Sequence, residues 1–221
     1  MTDFLVTGTD TGVGKTVIAA ALVLALRGKG VRALGFKPVE SGVGDEAPSD
    51  AAILSAASGT NEPLAEPLLT LGEPLAPAVA AERARRALDP DLVLARLETL
   101  RAVGYTLVVE AAGGLLVPLA WSFTALDLAE RAGLEAIVVA RAGLGTLNHV
   151  RLTAEALASR RVPLRAVILN GRGDPPDLAE STNPGALARL LPGVTIVEVP
   201  RQAAADSLAV ARRAVAALSF L

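Results

Sequence analysis

The hydrophobic positions of this chain fall into short apolar runs that alternate with longer segments of helical composition. Six runs rich in Val, Leu, Ile and Ala predict buried strands, at residues 4–7, 31–36, 106–109, 136–140, 166–169 and 194–199. Helices are predicted at residues 16–27, 51–57, 124–132, 148–160, 184–191 and 205–218, and another begins at Asp89-Pro90. This alternation predicts a single α/β domain over residues 1–221, with a mostly parallel sheet covered by helices on both faces.

Two segments lack this pattern and are predicted to be connections. Residues 38–49 are rich in glycine and proline, and residues 59–79 carry several prolines that favour a long surface loop. In parallel α/β sheets, ligands bind at the carboxyl ends of the strands. The polar residues that follow the predicted strands are therefore the candidates for a site: Gly8 to Thr16, Lys37, Glu110, Gly143 to Asn148, and Asn170.

The segment Gly8-Thr-Asp-Thr-Gly-Val-Gly-Lys15-Thr16 lies between the first predicted strand and the first predicted helix, which is the setting of a Walker A motif. In that motif, backbone N–H groups surround a phosphate and the lysine reaches the β- and γ-phosphates. The hydroxyl of Thr16 can bind Mg²⁺. The pattern predicts a P-loop NTPase-like fold that uses ATP; the alternative is a structural glycine turn before a helix.

Lysine is rare in this chain, because only Lys15, Lys29 and Lys37 of its 21 basic residues are lysines. A lysine retained among so many arginines indicates a position that needs a compact ammonium group. Lys37 follows the second predicted strand, beside the phosphate loop, and could stabilise charge on a transferring phosphoryl group. The alternative is a solvated surface lysine. Ser41, four residues further on, is as easily explained by a turn.

Two acidic residues are candidates for a metal site. Glu110 ends an apolar strand, as a Walker B acid does, and a carboxylate buried there must be paired or bind a metal. Asp50 is the second candidate, although Ser49-Asp50 is equally an ordinary helix start. With Thr16, these residues predict a Mg²⁺ site.

Bulk composition argues against several classes of function. The net charge is −2 and aromatic residues make up 3% of the chain, so we expect no nucleic-acid partner. The chain has no cysteine, and no apolar run reaches the roughly 18 residues of a membrane span. Since the first residues show no signal-peptide pattern, a cytoplasmic location is expected. His149, the only histidine, has no triad partner in view and is predicted to be structural.

Asn170 ends a predicted strand, where its amide could pair with a base edge through one donor and one acceptor. A guanine-specific site would have Asn-Lys-x-Asp here, whereas the chain has Asn170-Gly-Arg-Gly. The sequence therefore argues against guanine specificity.

In order along the chain, the motifs resemble those of the dethiobiotin synthetase family. They are Val6-Thr-Gly-Thr-Asp-Thr-Gly-Val-Gly-Lys-Thr16, Lys37-Pro-Val-Glu-Ser-Gly42, Ser49-Asp50, Glu110-Ala-Ala-Gly-Gly114, Gly145-Thr-Leu-Asn-His149, Asn170 and Val199-Pro200. The chain departs from the family at Ala111, which replaces a glycine, and at Gly171, where the family often has Asp. The resemblance implies an ATP-dependent cyclo-ligase that makes dethiobiotin from 7,8-diaminononanoate and CO₂, through a carbamate that attacks the γ-phosphate.

The resemblance also implies roles for individual residues. Lys37 and Lys15 would be catalytic, and Thr16, Asp50 and Glu110 would hold Mg²⁺. The ATP-binding set would be Gly12, Val13, Gly14, Lys15, Thr16, Val17, Asp50, Glu110, Ala111, Ala112, Gly113, Asn170, Gly171, Pro200, Arg201 and Gln202, of which the last five surround adenine. The diamine would contact Thr11, Ser41, Gly145 and Asn148. The helix start near Asn148 would come from the second subunit of a homodimer.

Two rival hypotheses share this architecture. One is an amide-forming ligase of the cobyrinate-synthase type, but those chains usually carry a glutaminase domain with a cysteine nucleophile, and this chain has no cysteine. The other is a switch ATPase of the partitioning or septum-placing kind. Its loop, Lys-Gly-Gly-x-Gly-Lys-Thr, matches the spacing here, but Asp10 stands in place of its signature lysine. The amphipathic stretch from Ser207 to Leu221 could lie on a membrane, although its alanine content favours packing on the sheet.

Overall fold

The structure, a computed structural model, describes residues 2–44, 48–201 and 206–218. Its strands are β1 (Phe4–Gly8), β2 (Ala33–Phe36), β3 (Val39–Ser41), β4 (Leu69–Leu71), β5 (Thr106–Gly114), β6 (Pro118–Ala120), β7 (Phe123–Thr124), β8 (Glu135–Arg141), β9 (Leu164–Arg172) and β10 (Thr195–Pro200). Six of them form one sheet in the order β10-β9-β8-β1-β5-β2, and all five neighbouring pairs are parallel. These are the six strands that the apolar runs predict.

Helices cover both faces of this sheet. They are α1 (Lys15–Gly28), α2 (Asp50–Ser58), α3 (Pro77–Arg83), α4 (Pro90–Ala102), α5 (Ala125–Ala132), α6 (Thr146–Ser159), α7 (Leu178–Leu190) and α8 (Ser207–Ala214). Successive residues of a strand point to opposite faces, so Leu5 and Val6 of β1 belong to two different core clusters. Val6 packs in the cluster built by α1, α2 and α8, whereas Leu5 packs in the cluster built by α3 to α7. The predicted fold class is confirmed.

The prediction that residues 59–79 form a surface loop is wrong. Leu69–Leu71 form β4, which pairs in parallel with β3 inside the segment 38–49 that was also expected to be a loop. Leu69 and Leu71 are buried while Thr70 between them is exposed, which is the alternation of a half-buried strand. A 3₁₀ turn at Pro63–Ala65 and the start of α3 at Pro77 account for two of the prolines, since proline is tolerated at the start of a helix.

Two boundaries also differ from the sequence prediction. Strand β5 continues past Glu110 to Gly114, and the antiparallel pair of β6 and β7 follows it. Helix α7 begins at Leu178 rather than at residue 184, because Asp177 and Glu180 form a capping box that starts the helix earlier. Helix α8 is packed and buries Ala211 and Ala214, but it packs mainly on α1 rather than on the sheet, and residues 219–221 of the predicted stretch lie outside the described residues. Within the described residues, no helix is long and apolar enough to span a membrane.

Candidate active site

The phosphate loop connects β1 to α1 and depends on two glycines with left-handed backbone conformation. Gly12 has φ +72° and Gly14 has φ +96°, a region that side chains with a Cβ rarely adopt. At Gly14 an added Cβ would also lie 2.1 Å from Asn170 Nδ2. The Asn170 amide donates a hydrogen bond to Val13 O at 2.9 Å, and Lys15 Nζ donates to Asp10 O at 3.1 Å. The loop is therefore held from the end of β9 and by its own lysine.

Glu110 lies in the middle of β5, at the centre of a polar cluster beside the carboxyl end of β2. Its side chain is 1% exposed, and its Oε1 accepts hydrogen bonds from Thr16 Oγ1 and from Lys37 Nζ, both at 2.9 Å. Lys37 also forms an ion pair with Asp50 Oδ2. The strand register explains this convergence. Phe36, the last residue of β2, pairs with Val109 of β5, so Lys37 and Glu110 come next to each other.

Burial and neighbouring charges shift the pKa values of Glu110, Lys37 and Lys15. Burial, opposed by the nearby Lys37 ammonium, raises the pKa of Glu110 above its usual range. Burial alone would lower the pKa of Lys37, but the carboxylates of Glu110 and Asp50 outweigh it and raise the pKa of Lys37. Burial also lowers the pKa of Lys15, with the positive charge of Lys37 acting in the same direction. The two ammonium groups and two carboxylates thus form one coupled unit.

The contacts of Asp50 separate its two possible roles. The cap of α2 is Ser49, whose Oγ accepts a hydrogen bond from Ala52 N at 3.1 Å. The Asp50 backbone N–H donates instead to the Glu40 carboxylate. Because other side chains satisfy the first backbone donors of the helix, the Asp50 carboxylate is left to pair with Lys37.

A cavity of about 690 Å³ opens beside this cluster. The predicted site residues that line it are Thr11, Gly12, Gly14, Lys15, Thr16, Val17, Lys37, Ser41, Asp50, Glu110, Ala112 and Gly113. The Ser41 hydroxyl donates to Leu75 O at 2.7 Å and so joins β3 to the cavity wall. Twelve residues that were chosen from sequence motifs thus surround one space.

The remaining predicted residues lie outside the lining of this cavity. Val13 and Ala111 are buried beside the loop and in β5, and Asn170, Gly171, Pro200 and Arg201 lie at the carboxyl ends of β9 and β10. The backbone N–H of Arg201 donates to Arg172 O at 2.7 Å. Gly145 and Asn148 are at the start of α6, and Gln202 lies outside the described residues.

Sequence reasoning missed part of the cavity wall and one buried acid. Pro74 to Pro77, Val117 and Ser207 also line the cavity. Pro74 to Pro77 belong to the segment 59–79, for which the sequence predicts a surface loop. The alternating apolar residues Leu69 and Leu71 were the sequence signal that this segment is partly buried. Glu40, 5% exposed, carried no signal of its own beyond its place in the Lys37-Pro-Val-Glu-Ser motif.

The cluster fits a Mg²⁺ ion bound together with nucleotide phosphates. Glu110 Oε2 is buried and has no hydrogen-bond partner among the described residues, as expected of a carboxylate oxygen kept for a further ligand. No group of three or more His, Cys, Asp or Glu side chains that could hold a metal occurs in the described part of the chain. Mg²⁺ typically takes only one or two carboxylates and completes its shell with waters and phosphate oxygens, which suits Thr16, Asp50 and Glu110.

Comparison with known proteins agrees with this geometry. A family model described as "AAA domain" matches residues 2–207. ATP-dependent dethiobiotin synthetase of Anaeromyxobacter dehalogenans is 48% identical over 191 residues, which cover 86% of each chain. The enzyme of the same name from Mycobacterium tuberculosis is 43% identical over 194 residues, which cover 86% of this chain and 84% of its own.

Two solved structures are similar in fold at low sequence identity. A MinC:MinD cell division protein complex of Aquifex aeolicus aligns with a TM-score of 0.54 at 16% identity, over 96% of this chain and 86% of that one. A Cyanothece McdA–ATP complex aligns with a TM-score of 0.57 at 15% identity, over 100% of this chain and 91% of that one. At such identities the likeness shows the fold alone.

Proposed function

This chain belongs to the family of ATP-dependent dethiobiotin synthetases, and from that premise we propose how its residues carry out the reaction. The family makes dethiobiotin in an ATP-dependent ligase reaction of biotin biosynthesis. The observation that carries the residue assignment is the convergence of two lysines, two carboxylates and the phosphate loop on one cavity.

The proposed reaction begins with a carbamate. One amine of 7,8-diaminononanoate adds to CO₂ and loses a proton. A carbamate oxygen then attacks the γ-phosphorus, and the bond from that phosphorus to the oxygen of ADP breaks. The second amine attacks the carbamoyl carbon, phosphate leaves, and the ureido ring closes. The attacking carbamate and the phosphate are both anions, so the site must neutralise negative charge and align the reactants.

The chain's cations suit that task. Lys15, held over the loop by Asp10 O, is placed to reach the β- and γ-phosphates. Lys37 is 5% exposed and carries an ammonium at the cavity wall, where it would stabilise charge on the transferring phosphoryl group. Thr16, Asp50 and Glu110 would hold Mg²⁺, which when bound neutralises charge on the β- and γ-phosphate oxygens. No enzyme nucleophile is required.

The remaining ATP contacts are assigned by position. Gly12, Val13, Gly14 and Val17 belong to the loop and the first turn of α1, and Ala111, Ala112 and Gly113 belong to the end of β5 beside it. Asn170, Gly171, Pro200, Arg201 and Gln202 are proposed to surround adenine. Asn170 Nδ2 already donates one hydrogen bond to the loop at Val13 O, so its amide oxygen and its second N–H are the groups left for the base edge.

Thr11 and Ser41 line the cavity and are proposed to contact the diamine. Gly145 and Asn148 do not line it, which supports the proposal that the start of α6 reaches the substrate from the second subunit of a homodimer. Asn183 of α7 holds the turn before that helix by donating to Ala142 O and Gly143 O, at 2.8 and 3.0 Å. We propose that the homodimer works in the cytoplasm, without a nucleic-acid or membrane partner. Light scattering tests the homodimer, and vesicle sedimentation tests the absence of membrane binding.

An ADP-release assay tests the function. Purified protein is given ATP, Mg²⁺ and bicarbonate, with and without the diamine, and Lys15→Ala serves as the loop control. ADP release should require the diamine and should be lost in the control. Diamine-independent release would favour the switch ATPase, whereas release that requires a different carboxylate and an amide donor would favour the cobyrinate-synthase type.

A further inference from the structure

Glu40 links strand β3 to the first turn of helix α2. Its carboxylate accepts hydrogen bonds from the backbone N–H groups of Asp50 and Ala51, the latter at 3.3 Å. The side chain is 5% exposed, so both of its oxygens are committed to protein donors rather than to water. Glu40 and Asp50 are ten positions apart in the chain. Their hydrogen bond connects the segment that follows Lys37 to Asp50, the residue whose carboxylate pairs with Lys37.

The geometry points to Glu40 as a positioning residue for the Asp50 carboxylate. Asp50 is the first residue of α2, and the N–H that Glu40 accepts belongs to the same residue whose side chain contacts Lys37. Because Glu40 holds the Asp50 backbone N–H, the position of the Asp50 Cα is fixed. Only the χ1 and χ2 torsions of the Asp50 side chain then remain free. We propose that Glu40 thereby sets the separation of Asp50 from Glu110 and so the fit of the divalent cation. This inference rests on the proposed metal role of Asp50.

The role of Glu40 is distinct from ordinary helix capping. Ser49 already accepts from Ala52 N, so α2 has its own N-cap. A negative charge near a helix N-terminus is favourable, and a buried carboxylate must find donors, so the Glu40 arrangement is also stable in itself. Unlike the cap residue Ser49, Glu40 lies outside the helix segment: its two carboxylate oxygens reach α2 from β3, the strand that begins two residues after Lys37.

A metal-binding measurement separates positioning from capping. Mn²⁺, a spectroscopic substitute for Mg²⁺, is titrated by electron paramagnetic resonance in the presence of a non-hydrolysable ATP analogue. Removal of a partner that orients a metal ligand typically weakens metal binding by about 10–100-fold, and we expect that loss for Glu40→Ala. Glu40→Gln keeps one acceptor oxygen and should show a smaller loss. Ser49→Ala, the matched control on the same helix, should leave Mn²⁺ affinity within about twofold of the wild type.

The reference variant is Asp50→Asn, which should weaken Mn²⁺ binding at least as much as Glu40→Ala. If Asp50→Asn weakens binding and the Glu40 variants do not, the positioning role is overturned and the proposed metal site stands. If Asp50→Asn has no effect, the metal role of Asp50 falls and the Glu40 inference falls with it. Equal losses in Glu40→Ala and Ser49→Ala would reduce Glu40 to a helix cap. Circular dichroism checks folding, and Glu40→Gln carries the test if Glu40→Ala does not fold.

Discussion

Replacing Lys37 with alanine should change catalysis and metal binding in opposite directions. The Lys37 ammonium contacts Asp50 and lies 2.9 Å from Glu110 Oε1, so it pairs with both carboxylates that would hold the proposed metal and compensates their negative charge. Without it, kcat should fall about 10²–10³-fold, because losing one charge-stabilising donor costs roughly 3–4 kcal/mol of transition-state stabilisation. Divalent-metal affinity of the nucleotide-free protein should rise, because a hydrogen bond to a charged group contributes about 1.5–3 kcal/mol, or roughly 10–100-fold.

The assay combines steady-state and binding measurements. ADP release is followed at saturating ATP, Mg²⁺, bicarbonate and diamine, and Mn²⁺ binding is followed by electron paramagnetic resonance without nucleotide. Lys29→Ala is the matched control, because Lys29 is exposed at the end of α1 and should leave both quantities within about twofold of the wild type. Circular dichroism establishes that Lys37→Ala is folded, since removing one member of a buried ion pair can destabilise a protein by about 3–5 kcal/mol.

Either half of this result can fail separately. Turnover of folded Lys37→Ala near the wild-type rate would remove Lys37 from the mechanism. A kcat loss together with weaker Mn²⁺ binding would mean that Lys37 does not compete with the metal for Asp50 and Glu110. In that case its ion pairs would hold the two carboxylates in position for the metal rather than compete with it.

Two further predictions concern the phosphate loop and a helix start. Gly14→Ala should weaken binding of an ATP analogue, measured by calorimetry, far more than Gly12→Ala. Both residues have positive φ, but only at position 14 would the added Cβ clash with Asn170. Equal losses of affinity in the two variants would show that the clash with Asn170 does not matter. Burial raises the pKa of Asp127, but its hydrogen bonds with Thr124 outweigh burial and lower the pKa in the folded state. The ionised Asp127 therefore stabilises the fold above the unfolded pKa of about 3.9, and this stabilisation is lost as pH falls through the lower pKa of the folded state. Asp127→Ala should therefore cost about 1–2 kcal/mol of unfolding free energy at pH 7, and urea titrations should show this difference shrinking below pH 4. A pH-independent difference would contradict the reasoning.

The sheet was predictable from the sequence, because its strands, apart from the half-buried edge strand β10, are largely buried on both faces. Such strands are continuous apolar runs, and the polar residues at which the runs stop, such as Lys37 after β2 and Glu110 within β5, lie close together on neighbouring strands. The phosphate loop was predictable for a similar reason, because its glycines and lysine are adjacent in sequence.

What the sequence did not reveal depends on contacts between distant segments. Strand β4 is three residues long and, within the described residues, pairs with β3 alone, so neither has the continuous apolar run of a central strand. The hydrogen bonds of Glu40 to the start of α2 depend on how β3 and α2 pack. The ten-residue spacing between Glu40 and Asp50 does not predict them. That Ser49 rather than Asp50 caps α2 is likewise evident only from the contact of Ser49 Oγ with Ala52 N.

The central claim is that the phosphate loop and Lys15 hold ATP with its γ-phosphate toward Lys37 and the two carboxylates. Isothermal titration calorimetry with the purified chain, Mg²⁺ and a non-hydrolysable ATP analogue tests it most directly. The account predicts one saturable site per chain, with a dissociation constant between about 1 μM and 1 mM, and loss of that binding in Lys15→Ala. No detectable heat of binding, or binding that Lys15→Ala leaves intact, would contradict it.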